Sequence, residues 1–336
     1  MKRIEWIDSL RGFSIFCIVL GHTLAGMGIG AYKSVLSSII VAFWLPLFFF
    51  ISGFFSFKNS LPLRDRIKEL KPKFIQLIIP AVVFVTIYSA AYKEQPFVWV
   101  YKGFGPYWFT IVLFLFIVAN VFISPLNNRK FDKLYDITLV FISLFAIIAL
   151  ITFRNDSWAW NFFCLENATK YFQFYALGIL SRKYSDRFYK ALDNKLLVGG
   201  GVITFSVISL LIYFGKTFEN VPSWAFNLNR DIVIRYLTVA VLVVYFSKSN
   251  KDSSRSLGFF NRIGKITLDI YLIHWFFLPH LEIPGITNER IIIVQLVLAS
   301  AIAYVIVRIC EVVSSMLRFS DLIAKYALGV RNKKNE

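Results

Sequence analysis

The sequence has few charged residues for its length. Asp, Glu, Lys and Arg make up 17% of its 336 residues, whereas soluble globular proteins contain about 25%. Hydrophobic residues make up 57%, and the mean hydropathy is +0.62. A surface in contact with water does not accommodate this composition, and a disordered chain has far less apolar content. The composition therefore excludes a soluble globular protein and an intrinsically disordered one.

Cysteine and acidic residues are also scarce. The three cysteines are spaced for neither a CxxC metal-binding pair nor a disulfide framework. There are 20 Asp and Glu against 37 Lys and Arg, which gives a formal net charge of +17. In so apolar a chain, this excess of positive charge indicates the cytoplasmic side of a membrane rather than a nucleic-acid partner. We therefore expect a protein that is surrounded by membrane lipids and binds no nucleic acid.

Ten hydrophobic segments are candidates for bilayer-spanning helices, which need about 17–25 residues. No internal repeat and no low-complexity linker divides the chain. We therefore predict an all-α integral membrane protein of about ten transmembrane helices. Its membrane domain covers residues 1–312, and a short basic cytoplasmic tail follows over 313–336. The predicted spans are 10–30, 36–57, 74–92, 107–124, 136–153, 168–181, 196–214, 231–247, 266–282 and 291–312.

The Lys and Arg residues are distributed unevenly between the predicted loops. One set of alternate loops, which includes both termini, contains 26 of them, and the other set contains 8 when Lys170, at the start of the sixth predicted span, is counted with it. Cytoplasmic loops of membrane proteins are enriched in Lys and Arg. The asymmetry therefore predicts that both termini lie in the cytoplasm.

Three ionisable residues lie in or directly before the first predicted span: Asp8 precedes it, and Arg11 and His22 are inside it. Such residues are costly inside a membrane, so each is a candidate functional residue. The eleven-residue spacing of Arg11 and His22 places them about 20° apart on one helix face and about 16 Å apart along the axis. Asp8 falls on the same face, one turn before Arg11. This face combines a cation near the cytoplasm with an imidazole suited to general-base catalysis.

Each of these three residues also has a structural explanation. Asp8 is a possible N-cap of the helix and ion-pair partner of Arg11. Arg11 alone could extend its guanidinium to the lipid headgroups. His22 could form a hydrogen bond between helices. These alternatives stay open at the level of the sequence.

Aromatic residues and the other histidines supply further candidates. Tyr107 and Trp108, on the predicted outer side, are candidate platforms for a sugar, although aromatic residues are common at membrane interfaces. His274 lies in the ninth predicted span, where a role in the reaction and a hydrogen bond to a neighbouring helix are both open. His280 and Glu282 do not complete a three-ligand zinc set. No metal site is therefore predicted.

Several segments together resemble the membrane acyltransferase-3 family. The family's hallmark is an arginine, ten residues and then a histidine in the first span, and Arg11 and His22 fit this pattern. The second-span motif of the family, with a proline and aromatics before Ser-Gly, is similar to residues 46–54. Weaker similarities to the family occur in the same order along the chain, at residues 106–109, 264–267 and 271–274.

The resemblance implies O-acyl transfer, usually of an acetyl group from cytoplasmic acetyl-CoA to a hydroxyl of a carbohydrate, by a multi-pass protein of the inner membrane. His22 would act as the general base, or would carry the acyl group transiently. Asp8 would orient Arg11, and Arg11 would hold the CoA end or the thioester. A transporter of a sugar or of a lipid-linked precursor is the alternative, although no inverted repeat is evident.

The sequence departs from the family at one motif. Many members have an Arg-x-x-Arg pair shortly before a proline at the start of the third span, whereas this chain has Lys71 and Lys73 before Pro80. Lysine supplies positive charge to a phosphate without the bidentate geometry of arginine. We expect Lys71 and Lys73 to bind the phosphates of CoA. The acceptor would contact Tyr107, Trp108 and His274.

The predicted topology can be tested with reporter fusions. Green fluorescent protein fused after Glu336 should fluoresce, and alkaline phosphatase fused there should be inactive, because the C-terminus is predicted to be cytoplasmic. Fusions after Lys33, in the first predicted outer loop, are the control and should give the reverse pattern. Active phosphatase after Glu336 would contradict the topology.

Overall fold

The structure of the protein is a computed structural model that describes most of the chain. The described part is mainly helical. The described residues form α-helices and short 3-10 segments, without a strand, so the all-α prediction is confirmed for this part of the chain. The described ranges are 4–30, 34–58, 61–94, 97–102, 104–152, 158–194, 234–249, 255–280 and 291–330, together with positions 196, 199, 200, 203 and 207.

Fifteen α-helices lie within these ranges, with 3-10 segments at Gly105–Tyr107, Ser124–Leu126 and His274–Phe277. In chain order they are α1 (Glu5–Gly26), α2 (Val35–Ser56), α3 (Leu63–Lys68), α4 (Leu70–Ala91), α5 (Val98–Lys102), α6 (Trp108–Ile123), α7 (Asp132–Thr152), α8 (Trp158–Phe162), α9 (Leu165–Lys183), α10 (Ser185–Asp193), α11 (Arg235–Ser249), α12 (Arg255–Gly264), α13 (Thr267–Ile273), α14 (Ile292–Leu317) and α15 (Asp321–Tyr326).

Five helical stretches of the described chain are long and apolar enough to cross a membrane. They coincide with the first four predicted spans and the tenth, which indicates a multi-pass membrane protein. The total of ten spans and the side on which the termini lie stay predictions. The five stretches are Glu5–Gly26, Leu36–Ser56, Leu63–Ala91, Gly105–Leu126 and Ile292–Leu317.

The other predicted spans have a mixed outcome. Helices α7, α9 and α11 coincide with the fifth, sixth and eighth, whereas most of 196–214 lies outside the described residues. The ninth, 266–282, is not a continuous α-helix where it is described. It consists of the seven-residue α13, a 3-10 segment and the non-helical residues 278–280. Pro279 accounts for part of this difference, because a proline disfavours helical geometry at the residue before it.

The chain folds into two compact units. The first unit comprises Met1–Ile51, Tyr184–Thr267 and Phe277–Ile309, and the second comprises Ser52–Lys183, Leu268–Phe276 and Cys310–Glu336. Each unit therefore contains segments that are far apart in the sequence.

In the first unit, α1 packs against α11 and α12. Phe13 of α1 contacts three phenylalanine rings, with centroid distances of 5.8 Å to Phe43, 5.3 Å to Phe246 and 5.5 Å to Phe260. A methyl group at the neighbouring Gly12 would overlap the carbonyl oxygen of Phe260. The backbones of α1 and α12 are therefore in direct contact at Gly12 and Phe260.

In the second unit, α6 packs against α4 and α9, and α9 also packs against α7. The ring of Phe116 lies 5.2 Å from Phe172 and 5.3 Å from Tyr175, measured between centroids. A methyl group at Gly53 would overlap the carbonyl oxygen of Tyr175. The Ser-Gly end of the second-span motif thus provides a close approach between α2 and α9.

The close contact between α1 and α12 makes a prediction about stability. Gly264→Ala should lower the free energy of unfolding by about 1–3 kcal/mol, because its methyl group would overlap the carbonyl oxygen of Asp8. Gly258→Ala in the same helix is the matched control, since a methyl group there meets no atom within 4 Å. Thermal unfolding in detergent measures both. Equal melting temperatures for the two variants would contradict the packing described here.

Candidate active site

Asp8, Arg11 and His22 lie on one uninterrupted helix, α1. Because the helix is continuous, the three side chains keep the common face that their spacing predicts, and His22 lies about 16 Å from Arg11 along the axis. Asp8 is buried, whereas Arg11 and His22 are half-buried. The helix therefore carries an acid, a cation and an imidazole along one line.

The N-terminal end of this line is held by α12. Asn261 donates a hydrogen bond from Nδ2 to the backbone oxygen of Glu5 at 3.2 Å. Gly264 lies against the backbone of Asp8, where any larger residue would collide. The first residue of the segment 264–267 is thus a glycine for a packing reason, and it fixes α12 beside Asp8 and Arg11.

The capping role considered for Asp8 is wrong. Helix α1 begins at Glu5, its N-cap residue is Ile4, and no side chain caps it. Asp8 is inside the helix, and 5% of it is exposed. The orienting role of Asp8 toward Arg11 stays a prediction.

The His22 end of the line is covered by an indole. The ring centroid of Trp44 in α2 lies 5.2 Å from that of His22, with an angle of 53° between the planes. The preceding residue, Gly21, makes this possible, because a methyl group there would overlap the six-membered part of the indole. Trp44 is buried, with 8% of it exposed. Trp44 was not among the residues predicted for the site.

One turn beyond His22, α1 is contacted by a later part of the chain, at Pro279. A methyl group at Gly26 would overlap the carbonyl oxygen of Pro279. Since Gly26 follows His22 by four residues, both lie on the same side of the helix. The non-helical residues 278–280 therefore contact α1 one turn beyond the candidate base.

In the second unit, Tyr107 and Trp108, which are predicted to bind the acceptor substrate, contact other residues of the protein. Tyr107 donates from its hydroxyl to the Leu272 carbonyl at 3.1 Å, and Tyr271 donates to the Pro106 carbonyl at 2.8 Å. These two bonds join the start of α6 to α13. Trp108 stacks on Tyr171 at 5.8 Å with an interplanar angle of 21°.

His274 is fully buried in the second unit. Its Nδ1 lies 3.0 Å from the carbonyl oxygen of Ile270, one turn earlier. A carbonyl only accepts hydrogen bonds, so Nδ1 carries the proton in this contact. The contact orients the imidazole within its own chain segment, and the role of His274 toward a substrate stays a prediction.

The lysines expected to bind phosphates differ in their surroundings. Lys71 is exposed, whereas Lys73 is half-buried and donates from Nζ to Oε1 of Gln76 at 2.9 Å. Nearby in sequence, Arg66 is 4% exposed and pairs through Nη1 with Glu69 at 3.0 Å. Arg66 is therefore more buried than either lysine.

A further buried acid was missed. Asp269 accepts hydrogen bonds from Ser314 and from Arg318, whose Nη2 lies 2.6 Å from Oδ2. This acid lies inside the ninth predicted span, so the cost of an ionisable group in a membrane was the signal that should have indicated it. The contacts join α13 to the C-terminal part of α14.

The predicted site residues divide between the two units. Asp8, Arg11 and His22 belong to the first. The second contains the residues predicted to bind donor phosphates and the acceptor, which are Lys71, Lys73, Tyr107, Trp108 and His274.

A family model described as an acyltransferase domain, Acyl_transf_3, matches residues 4–310. The match covers nearly the whole chain and contains every predicted site residue. No curated protein and no solved structure matches the chain.

Proposed function

This chain belongs to the membrane acyltransferase-3 family, and we propose that it transfers an acetyl group from cytoplasmic acetyl-CoA to a hydroxyl of a cell-surface or lipid-linked carbohydrate. As a family member it is a membrane acyltransferase. The acetyl donor, the carbohydrate acceptor and a location in the inner membrane with both termini in the cytoplasm are parts of the proposal. The observation that carries it is the line of Asp8, Arg11 and His22 on α1.

His22 is the general base of the proposed reaction. It accepts the proton of the acceptor hydroxyl while the hydroxyl oxygen attacks the carbonyl carbon of the thioester. A carbon–oxygen bond forms, the carbon–sulfur bond breaks, and the CoA thiolate leaves and takes the proton from His22. In a variant of this sequence, the imidazole first attacks the thioester, and the acyl group then passes from His22 to the acceptor.

Arg11 binds the donor in this proposal. Its guanidinium lies about 16 Å along α1 from His22, toward the predicted cytoplasmic side, so a CoA held there extends its pantetheine arm toward the imidazole. Arginine binds phosphate oxygens in a bidentate manner. The buried Asp8, one turn away, orients the guanidinium.

The second unit carries the other proposed substrate-binding residues. Lys71 and Lys73 attract the CoA phosphates, and the exposed Lys71 is the less constrained of the two. Trp108 is half-buried and backed by Tyr171, which suits a platform for a sugar ring. Tyr107 and His274, which are both buried in the same unit, are the other two proposed acceptor residues.

A substitution of His22 tests the proposed chemistry. His22→Gln should lower the rate of acetyl transfer by at least about 100-fold, because a general base contributes 10²–10⁴ in rate. Transfer is measured in proteoliposomes with radiolabelled acetyl-CoA and a panel of surface glycans and lipid-linked sugars. His280→Gln is the matched control and should leave the rate unchanged. Transfer by His22→Gln within twofold of wild type would refute the proposal.

A second test concerns the donor site. Arg11→Lys should raise KM for acetyl-CoA by about tenfold, because it removes the bidentate contact but keeps the charge. Arg64→Lys, at an exposed position of α3, is the matched control. Lys71→Ala and Lys73→Ala should raise the same KM, and more so at low salt. An unchanged KM for Arg11→Lys would exclude it as a CoA contact.

A further inference from the structure

Trp44 lies next to the candidate base in a defined orientation. The six-membered part of its indole faces Gly21, so the pyrrole edge, which carries Nε1, is on the opposite side of the ring. The ring also contacts His22 at 5.2 Å between centroids. The indole therefore packs beside the imidazole and directs its N–H away from the backbone of α1.

The indole N–H of Trp44 is buried without a hydrogen-bond acceptor among the described residues. Buried tryptophan N–H groups usually have a partner, because an unpaired buried donor costs free energy. The hydroxyl of Thr23, directly after His22, is also buried and lacks a partner in the described part of the chain. Of these two groups, the indole N–H belongs to the ring that contacts His22, and its missing acceptor indicates that a polar ligand completes the site there.

We propose that Trp44 donates a hydrogen bond from Nε1 to the carbonyl oxygen of the acyl group that is transferred at His22. This inference rests on the proposed acyl transfer and adds a catalytic residue to it. The indole N–H only donates and does not titrate. Its ligand is therefore a hydrogen-bond acceptor, and the carbonyl oxygen of the thioester is such an acceptor.

The hydrogen bond strengthens during the reaction. When the hydroxyl oxygen adds to the carbonyl carbon, the π electron pair moves onto the carbonyl oxygen, which becomes negatively charged. The Nε1–H of Trp44 stabilises this charge, and the proton of the hydroxyl is on His22. The carbonyl forms again when the carbon–sulfur bond breaks. A fixed donor of this kind acts mainly on the transition state.

Trp44→Phe separates the donor from the packing. It keeps an aromatic ring against His22 and Gly21 but removes the N–H. We expect kcat for acetyl transfer to fall by about 100-fold, as for loss of one oxyanion donor, with KM for acetyl-CoA within about threefold. Trp99→Phe is the matched control, because it removes another buried N–H without a described partner, in the second unit. Its kcat should stay within twofold of wild type.

The rate of chemical modification of His22 shows whether a Trp44 variant acts only by disturbing the packing around the imidazole. Diethyl pyrocarbonate modifies histidine side chains, and mass spectrometry of the peptide that contains His22 gives the rate of its modification. This rate should be the same in wild type and Trp44→Phe, and it should change in Trp44→Ala, which removes the ring. If Trp44→Phe changes the rate as much as Trp44→Ala does, the role of Trp44 is structural and the inference is wrong.

A second replacement keeps the test decisive if Trp44→Phe does not fold. Incorporation of 3-benzothienylalanine at position 44 substitutes sulfur for the N–H in a ring of the same shape, and it should give the same fall in kcat. Wild-type kcat with this residue would overturn the inference. The proposed function fails separately, through an active His22→Gln. An inactive His22→Gln with a fully active Trp44→Phe refutes the role of Trp44 alone.

Discussion

The backbone contacts of α1 are the constraint on which the candidate site depends. Gly12 and Gly264 let α12 touch the helix near Asp8 and Arg11, and Gly21 lets the Trp44 indole reach its other half. Gly26 then brings the chain at Pro279 next to the turn that follows His22. Because these contacts leave no space for a side chain, α1 has a fixed rotation and its ionisable face has a fixed direction. Acyl transfer requires this precision, since small displacements of a catalytic group reduce the rate strongly.

The two units carry different sets of the proposed functional residues. In the proposal, the base, the guanidinium and the indole of the first unit act on the thioester. The second provides basic residues near the start of α4 and an aromatic region at the start of α6, where hydroxyls of Tyr107 and Tyr271 are hydrogen-bonded to backbone carbonyls. Because those hydroxyls already have hydrogen-bond partners, the half-buried ring of Trp108 is the surface that the proposal assigns to the sugar.

The sequence predicted what depends on local periodicity and missed what depends on distant contacts. The common face of Arg11 and His22 follows from the helical repeat alone, and so do the long apolar helices. Two contacts join residues that are far apart in the sequence: Trp44 with His22, and Asp269 with Arg318. No rule of residue spacing predicts either pair. In the sequence, Trp44 lies in an apolar segment and looks like an ordinary lipid-facing aromatic residue. The break in the ninth span arises where α13 passes into a 3-10 segment before Pro279, which hydrophobicity does not indicate.

A structure of the full-length protein in lipid nanodiscs with a non-hydrolysable acetyl-CoA analogue tests the central claim most directly. The account predicts that the carbonyl carbon of the acyl mimic lies about 3–3.5 Å from the His22 imidazole or from an acceptor hydroxyl bound to it. It also predicts that the carbonyl oxygen lies about 2.9 Å from Nε1 of Trp44. An acyl group bound beside His274, with no contact to His22 or Trp44, would contradict it.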